Sequence, residues 1–194
     1  MDNRQKQEKF AEYFRKGDKV LEFGCGSGDF LSICAEKGIK AAGVDRNPKK
    51  IKGIKIVKSD IMRYINKEKK AAYNGVYARH VIEHFYPENL EALLKITNRI
   101  MKKEGILILI FPNVRNPYVA TKEFWKDSTH AVPYTPEIAE KMVKKAGFRI
   151  KRSEPDRDSM DGFFIKKLYR GITGLLSGLD LNQPPDYIIV AEKK

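Results

Sequence analysis

The sequence predicts an α/β fold: a doubly wound, seven-stranded sheet that is mostly parallel and has an antiparallel last strand. Short β-branched runs alternate with helical stretches along the chain, which is the pattern of a sheet covered by helices on both faces. The first of those runs leads directly into a glycine-rich loop and a helix. With 194 residues and 42% hydrophobic content, the chain can bury a sizeable core. We therefore expect residues 1–194 to form a single domain.

Seven runs are predicted to be strands from their length and hydrophobic pattern. They lie at residues 19–23, 40–44, 54–57, 75–78, 106–111, 148–153 and 187–191. The last two are expected to pair like a hairpin around an insertion, which makes the final strand antiparallel.

Helix signals separate most of these strands. An amphipathic first helix is expected to carry three aromatic side chains, Phe10, Tyr13 and Phe14. The clearest helix spans about 87–102, because proline begins it, acidic residues lie in its first turns and two lysines end it before a glycine. Another helix, about 135–145, begins with a Thr-Pro-Glu cap and ends before a glycine.

Two irregular stretches, about 113–134 and 155–185, interrupt this regular alternation. Long connections inside a compact domain are uncommon and often carry binding function. The first stretch leaves the carboxyl end of the fifth predicted strand, and ligands of doubly wound sheets bind at such ends. We expect both stretches to cover a substrate site.

Composition narrows the possible partners and the compartment. The net charge of +13 permits nucleic acid, an anionic membrane or an acidic substrate, but much of it is scattered lysine, which favours a solvated surface. No apolar run is long enough to cross a bilayer, and the polar residues 1–5 do not resemble a signal peptide, so we expect a cytoplasmic protein. Cys25 and Cys34 lack the number and spacing of a zinc site or a disulfide framework, and we expect reduced thiols.

The glycine loop after the first strand indicates a nucleotide-like ligand. Its three glycines are spaced G-x-G-x-G and follow Glu22; the third glycine of the dinucleotide pattern would fall at Asp29. NAD is therefore a poor fit. Glycines allow a tight turn and bring the N–H groups of the following helix towards a ligand. A carboxylate beside the loop favours a cationic ligand over a pyrophosphate.

Four motifs in sequence order resemble those of class I S-adenosylmethionine-dependent methyltransferases, types 11 and 23, over nearly the whole chain. They are the glycine loop, Gly43-Val44-Asp45, Ser59-Asp60-Ile61, and the segment 73–84 that ends in a Glu-His pair. Asn74 departs from the pattern, because Asp often precedes the fourth strand. The resemblance implies a Rossmann-like methyltransferase fold, S-adenosylmethionine as the cofactor and methyl transfer as the activity.

The resemblance also implies where the cofactor lies. Asp45 would hold both ribose hydroxyls, Asp60 and the N–H of Ile61 would meet the adenine, and Glu22 would lie near the cationic amino group. The full expected set is Glu22, Gly24, Cys25, Gly26, Gly28, Asp45, Arg46, Asp60, Ile61, Ala78 and Arg79. Asp45 as a turn residue and Asp60 as a helix cap are the alternatives. The spacing of about 20 residues between loop and acid favours the cofactor.

The acceptor side is harder to derive. A base is needed only if the acceptor arrives protonated, and histidine suits that task near neutral pH. Residues 127–130 resemble the Asp-Pro-Thr-His signature of bacterial methyltransferases associated with surface glycans and sugars, with Ser128 in place of proline. The resemblance implies His130 as general base, Asp127 orienting its imidazole, and Trp125 with Tyr134 as pocket walls. Packing of His130 beneath the following helix is the alternative.

Residues 80–84 also match H-x-x-E-H, a zinc-binding pattern of inverted zinc proteases. Such a site needs a helix clear of the sheet and a further ligand, so we interpret the match as a coincidence. Some related methyltransferases that act on quinone precursors hold magnesium through acidic residues around this segment. His80 takes one of those positions here, and magnesium prefers oxygen ligands. We therefore expect no metal.

The expected reaction is methyl transfer to an oxygen or nitrogen of a small-molecule or glycan acceptor. The alternatives are a nucleic-acid methyltransferase and a non-catalytic cofactor-binding module. Against nucleic acid, the Asn/Asp-Pro-Pro-aromatic motif and a cysteine are both missing after the fourth strand. Within 162–179, apolar residues share one helical face, which predicts a lid helix, with peripheral membrane contact as the alternative.

Overall fold

A computed structural model describes residues 3–160 and 183–194, which form a seven-stranded sheet with helices on both faces. The strands are β1 (Lys19–Phe23), β2 (Lys40–Asp45), β3 (Lys55–Lys58), β4 (Tyr73–Arg79), β5 (Met101–Pro112), β6 (Phe148–Pro155) and β7 (Asp186–Lys193). The α-helices are α1 (Asn3–Ala11), α2 (Asp29–Glu36), α3 (Ile61–Lys67), α4 (Pro87–Ile100) and α5 (Pro136–Lys145). Short 3-10 helices span Ile82–His84, Phe124–Lys126 and Arg157–Met160, and a π-helix spans Val119–Glu123.

The strand order is β3-β2-β1-β4-β5-β7-β6. All neighbours up to β5 are parallel, whereas β7 runs antiparallel to both β5 and β6. This confirms the predicted fold class. The order reverses between β1 and β4, and ligands of doubly wound sheets bind at the carboxyl ends of strands at such a switch point.

Two hydrophobic layers hold the helices to the sheet. On one face, α1 and α2 pack through stacked rings: Phe30 lies 3.9 Å from Tyr77 between ring centroids, and Phe10 lies 5.8 Å from the same ring. On the other face, α3, α4 and α5 bury a larger set that includes Leu93 and Val143. The packed sheet therefore positions the loops that follow the carboxyl ends of its parallel strands.

Two helix ends differ from prediction. α1 ends at Ala11, so Tyr13 and Phe14 lie in the tight turns that follow, although Phe14 is still buried. α4 ends at Ile100, because β5 begins at the next residue. The lysines predicted as the helix end lie instead in an irregular stretch of β5, where Glu104 takes a left-handed φ of 62°.

Part of the second predicted cover, including the segment 162–179, lies outside the described residues. Its prediction as a lid or membrane contact stays a prediction. Within residues 3–160 and 183–194, no helix combines the length and apolar content that crossing a bilayer requires.

Replacing Gly75 with alanine should lower the free energy of unfolding by about 1–3 kcal/mol, because the new methyl group would overpack the core. A Cβ at this β4 position would lie 2.1 Å from Cε1 of Phe14 and 3.0 Å from the Ile106 carbonyl oxygen. Urea denaturation measures the change. In a Phe14→Leu background the same substitution should cost less; an equal cost in both backgrounds would show that the Phe14 ring is not the obstacle.

Candidate functional site

A cleft of about 690 Å³ opens at the switch point between β1 and β4. Its lining comes from the loops after β1, β2, β3 and β4, from the start of α4 and from the stretch that follows β5. The lining residues are Gly24, Asp45, Arg46, Asp60, Ile61, Met62, His80, Val81, His84, Phe85, Asn89 and Thr129. The cleft therefore joins the predicted cofactor motifs to the first predicted cover.

The glycine loop is shaped by two close approaches. Gly24 has a φ of 64°, and a Cβ there would lie 2.8 Å from Cγ2 of Val81 in the segment after β4. Gly28, with a φ of 75°, is the residue before α2, and a Cβ there would lie 2.3 Å from Cδ1 of Ile51. Larger side chains are strained at both positions. Glycine at these positions lets the loop pack closely against Val81 and Ile51. The N–H groups in the first turn of α2 then lie beside the loop.

Asp45 ends β2 at the floor of the cleft. Its Oδ2 accepts a hydrogen bond from the N–H of Gly26 at 3.0 Å, and its Oδ1 accepts one from the N–H of Asn47 at 2.7 Å. The carboxylate thus links the glycine loop to the turn after β2. Each carboxylate oxygen has two acceptor sites, so both oxygens can still accept from a ligand.

Asp60 lines the cleft and also caps α3, because its Oδ1 accepts from the N–H of Arg63 at 3.1 Å. Its Oδ2 accepts from Arg46 at 2.8 Å. Hydrogen bonding to Arg46 is the main reason that the pKa of Asp60 is lowered. Asp60 thus caps the helix, as the alternative interpretation predicts. Its carboxylate also lies at the wall of the cleft, beside Ile61.

Glu22 is buried behind the glycine loop and does not line the described cleft. Its Oε2 has no hydrogen-bond partner among the described residues. Burial raises the pKa of this carboxyl well above its ordinary value, and the nearby carboxylates of Asp29 and Asp45 raise it further. The site therefore contains a buried acid that a cationic group could ionise.

The other predicted cofactor residues support the cleft from behind. Cys25 is buried against Gly43 of β2. A Cβ at Gly43 would lie only 2.5 Å from Sγ of Cys25, so the absence of a side chain there makes space for the thiol. Ala78 is buried at the end of β4, and Arg79 lies 3.5 Å from Asp186 at the start of β7. Like Gly26 and Gly28, these three are not among the lining residues of the described cleft.

The segment after β4 carries an acid–base cluster. His80 takes a left-handed φ of 52°, and its imidazole lies 3.3 Å from Glu83 Oε1 and 3.6 Å from Asp186 Oδ1. Burial opposes its charged form, but these two carboxylates outweigh that effect and raise the pKa of His80 to about 9. His80 is therefore a cation at neutral pH.

The first cover docks on this segment through its backbone. The N–H groups of Ala131 and Val132 donate to the carbonyl oxygen of Glu83 at 2.8 and 3.1 Å. Nδ1 of His84 lies 3.1 Å from the carbonyl oxygen of Thr129, and its ring centroid lies 4.9 Å from that of His130. Two of the three histidines thus meet where the cover contacts this segment. His84 lines the described cleft, whereas His130 and Asp127 are not among its lining residues.

His130 and Asp127 are near each other but are not hydrogen-bonded through their side chains. Nε2 of His130 is 3.9 Å from Asp127 Oδ2, whereas its Nδ1 lies 2.6 Å from the carbonyl oxygen of Phe124. In the structure the carbonyl oxygen of Phe124, and not the carboxylate of Asp127, is hydrogen-bonded to the His130 ring. Asp127 instead holds Thr129, accepting from its N–H at 2.8 Å and from its hydroxyl at 2.6 Å, and the hydroxyl bond lowers the pKa of Asp127 most.

Neither predicted wall residue is among those lining the described cleft. The Trp125 side chain is 62% exposed and donates from its indole nitrogen to the carbonyl oxygen of Ala120 at 2.8 Å. Tyr134 is buried, and its hydroxyl donates to the carbonyl oxygen of Phe85 at 2.9 Å. Tyr134 therefore supports a lining residue from behind, while Trp125 lies at the surface of the cover.

The set of predicted site residues omits several that line the cleft. His80, Val81, His84 and Phe85 all follow β4, and Asn89 lies in the first turn of α4. The H-x-x-E-H pattern contains two of them, His80 and His84. The position of this pattern directly after a strand at the switch point is the sequence signal that could have placed them in the cleft.

Comparisons with known proteins identify the family and the fold of this chain. The sequence model of a methyltransferase-domain family matches residues 2–153. No curated protein sequence gives a match. Among solved structures, a SAM-dependent methyltransferase from Archaeoglobus fulgidus is 30% identical, with 98% of this chain and 92% of that chain covered and a TM-score of 0.79.

Two more distant structures share the fold. An S-adenosylmethionine-dependent methyltransferase from Mesorhizobium loti is 14% identical, with 92% of each chain covered and a TM-score of 0.65. The YcgJ protein of Bacillus subtilis is 12% identical, with 98% of each chain covered and a TM-score of 0.69. At these identities the likeness establishes the fold alone. The family match over most of the chain and the 30% identical relative show that this chain belongs to the methyltransferase-domain family, as a class I S-adenosylmethionine-dependent methyltransferase.

Proposed function

We propose that the protein transfers the methyl group of S-adenosylmethionine to an oxygen or nitrogen of a small-molecule or glycan acceptor, with His130 accepting the acceptor's proton. The observation that carries the proposal is that one cleft joins Asp45 and Asp60 to His84 and Thr129 of the acceptor side. The sulfonium is already a strong electrophile, so alignment of the acceptor and exclusion of water are the main tasks of the protein.

The cofactor would lie along the carboxyl ends of β1, β2 and β3. Asp45 has acceptor sites left for the two ribose hydroxyls after its bonds to Gly26 and Asn47. The Arg46 side chain is 80% exposed, so its ion pair with Asp60 contributes under about 1 kcal/mol. An adenine amino group can therefore compete for the Asp60 carboxylate.

Binding of S-adenosylmethionine should release a proton from Glu22, because the cationic amino group stabilises the ionised form of a carboxyl whose pKa burial raises. Affinity should then rise with pH until Glu22 is ionised in the free protein. Isothermal titration in buffers of different ionisation enthalpy, between about pH 5 and pH 8, measures the proton release. Glu22→Gln should remove it. Equal proton release by this variant would show that the proton comes from another group.

Among the histidines, we infer that His130 is the base, and His84, which lines the described cleft, is its competitor. A carbonyl oxygen can only accept, so the contact of Nδ1 with Phe124 places the proton on Nδ1 and leaves a lone pair on Nε2 of neutral His130. His80 is unsuited, because its raised pKa of about 9 keeps it protonated. Asp127 would act indirectly, by holding Thr129 against the cleft.

The acceptor class can be tested by a transfer screen with methyl-labelled S-adenosylmethionine over fractionated cell extract. We expect label in small polar molecules or glycans. The resemblance of residues 127–130 to a glycan-associated signature supports this choice. Label that enters RNA, with binding that weakens steeply as salt rises, would favour the nucleic-acid alternative, for which the net charge of +13 is the main support. A protein that binds the cofactor but labels nothing would favour a non-catalytic module.

A further inference from the structure

A cluster of potential metal ligands is formed by Glu83, His84 and His130. Methyl transfer to a small acceptor does not require these three side chains to act together. One potential ligand atom from each of the three residues lies within 4.8 Å of the other two. Glu83 and His84 come from the 3-10 helix after β4, and His130 comes from the cover after β5. The fold thus brings two adjacent metal-ligating side chains together with a third from a distant segment of the chain.

Both histidines have one ring nitrogen bound by the protein. The Thr129 hydroxyl donates its hydrogen bond to Asp127 at 2.6 Å, so both Thr129 oxygens near His84 are acceptors there and Nδ1 of His84 must donate to them. Nδ1 of His130 donates in the same way to the carbonyl oxygen of Phe124. Each neutral ring therefore has its lone pair on Nε2. An Nδ1–H bound to a carbonyl or a side-chain oxygen is the usual support of a metal-bound histidine.

The third residue supplies a buried carboxyl group that is only partly hydrogen-bonded. Glu83 is 1% exposed, and its Oε2 has no hydrogen-bond partner among the described residues. Its Oε1 faces His80 at 3.3 Å, which fixes the orientation of the carboxylate. A buried acceptor without a partner is destabilising, so a cation beside Oε2 would remove that penalty.

We propose that Glu83, His84 and His130 form a binding site for a borderline divalent cation of the Zn²⁺ type, with a fourth position open to the cleft. Two imidazoles and one carboxylate suit Zn²⁺, whereas Mg²⁺ requires a shell of oxygen ligands. The potential ligand atoms that lie within 4.8 Å of one another would have to move closer together to form Zn–ligand bonds of about 2.0–2.2 Å. The expectation of no metal depended on two features missing at residues 80–84, a helix clear of the sheet and a further ligand, and on His80 at a magnesium position. His130 supplies the further ligand.

The test is isothermal titration of the full-length, chelator-treated protein with ZnCl₂ in the absence of cofactor. We expect one Zn²⁺ per chain, a rise in melting temperature with Zn²⁺, and no saturable binding of MgCl₂. His84→Asn and His130→Asn should each weaken Zn²⁺ binding by at least about 10–100-fold. An asparagine amide can replace the Nδ1–H donor of histidine but offers nothing at Nε2, so these variants keep the support of the loop.

Two controls make the result specific. Glu12→Gln removes an exposed carboxylate elsewhere and should leave Zn²⁺ binding unchanged. Cys25 and Cys34 are both buried, and neither belongs to the cluster. Absence of saturable Zn²⁺ binding by the unaltered protein would overturn the proposal, and so would equal binding by both asparagine variants that melt like the unaltered protein without metal.

One consequence rests on the proposed function. The Nε2 lone pair of His130 cannot hold a cation and accept a proton at once, so Zn²⁺ should slow methyl transfer. Saturable Zn²⁺ binding without slowing would keep the site and count against His130 as base. Zn²⁺ that fails to bind, with transfer intact, would remove the site and leave the proposed function standing.

Discussion

Replacing Asp45 with alanine should weaken S-adenosylmethionine binding by at least about 100-fold, because each hydrogen bond to a charged group contributes about 1.5–3 kcal/mol and 1.4 kcal/mol is tenfold. The variant would lose the two proposed ribose contacts. It would also lose the acceptor that ties Gly26 to the end of β2. Isothermal titration gives the affinity, and thermal melting checks that the variant is folded.

Asp60 offers a matched comparison, because it combines a cap of α3 with a place in the cleft wall. Asp60→Ser keeps a capping oxygen and removes the carboxylate, so a loss of cofactor affinity in this variant reports the adenine contact together with the ion pair to Arg46. We expect a smaller loss than for Asp45→Ala. If Asp45→Ala bound the cofactor within about threefold of the unaltered protein, less than one such hydrogen bond would be missing, and the ribose assignment would be wrong.

The cofactor half of the cleft could be predicted because its signals are local. The strand 19–23 was predicted at the observed bounds, and the loops after β1, β2 and β3 each carry their own short motif. In a parallel sheet these loops meet at one edge whatever the rest of the chain does. Gly24, Asp45, Arg46, Asp60 and Ile61 accordingly line the cleft.

The acceptor half could not be predicted in the same way, because it depends on contacts between distant segments. His84 lines the cleft where a 3-10 turn follows the left-handed residue His80, a conformation that non-glycine residues seldom adopt. The cover reaches it through backbone bonds to the carbonyl oxygen of Glu83, which no side-chain pattern reports. For the same reason the sequence paired His130 with Asp127, three residues away, whereas the carbonyl of Phe124 binds its ring.

His130→Asn should lower the rate of methyl transfer by about 100–10,000-fold while cofactor affinity stays unchanged, since general-base catalysis contributes that much. The asparagine amide can still donate to the carbonyl oxygen of Phe124, so the cover should remain docked. Initial rates with saturating cofactor, the acceptor found in the transfer screen and a chelator separate this effect from that of a bound cation.

His84→Asn is the matched control, because the two rings are 4.9 Å apart and both have Nδ1 bound by the loop. A base must be unprotonated, so the rate of the unaltered protein should fall at acid pH, and the variant that removes the base should lose that dependence. We expect His130→Asn to flatten the acid limb and His84→Asn to retain it. The reverse ranking would assign the base to His84. If His130→Asn had a normal pH profile and rate, the role of the His130 ring would be limited to packing against Phe124, whose ring centroid is 4.6 Å away.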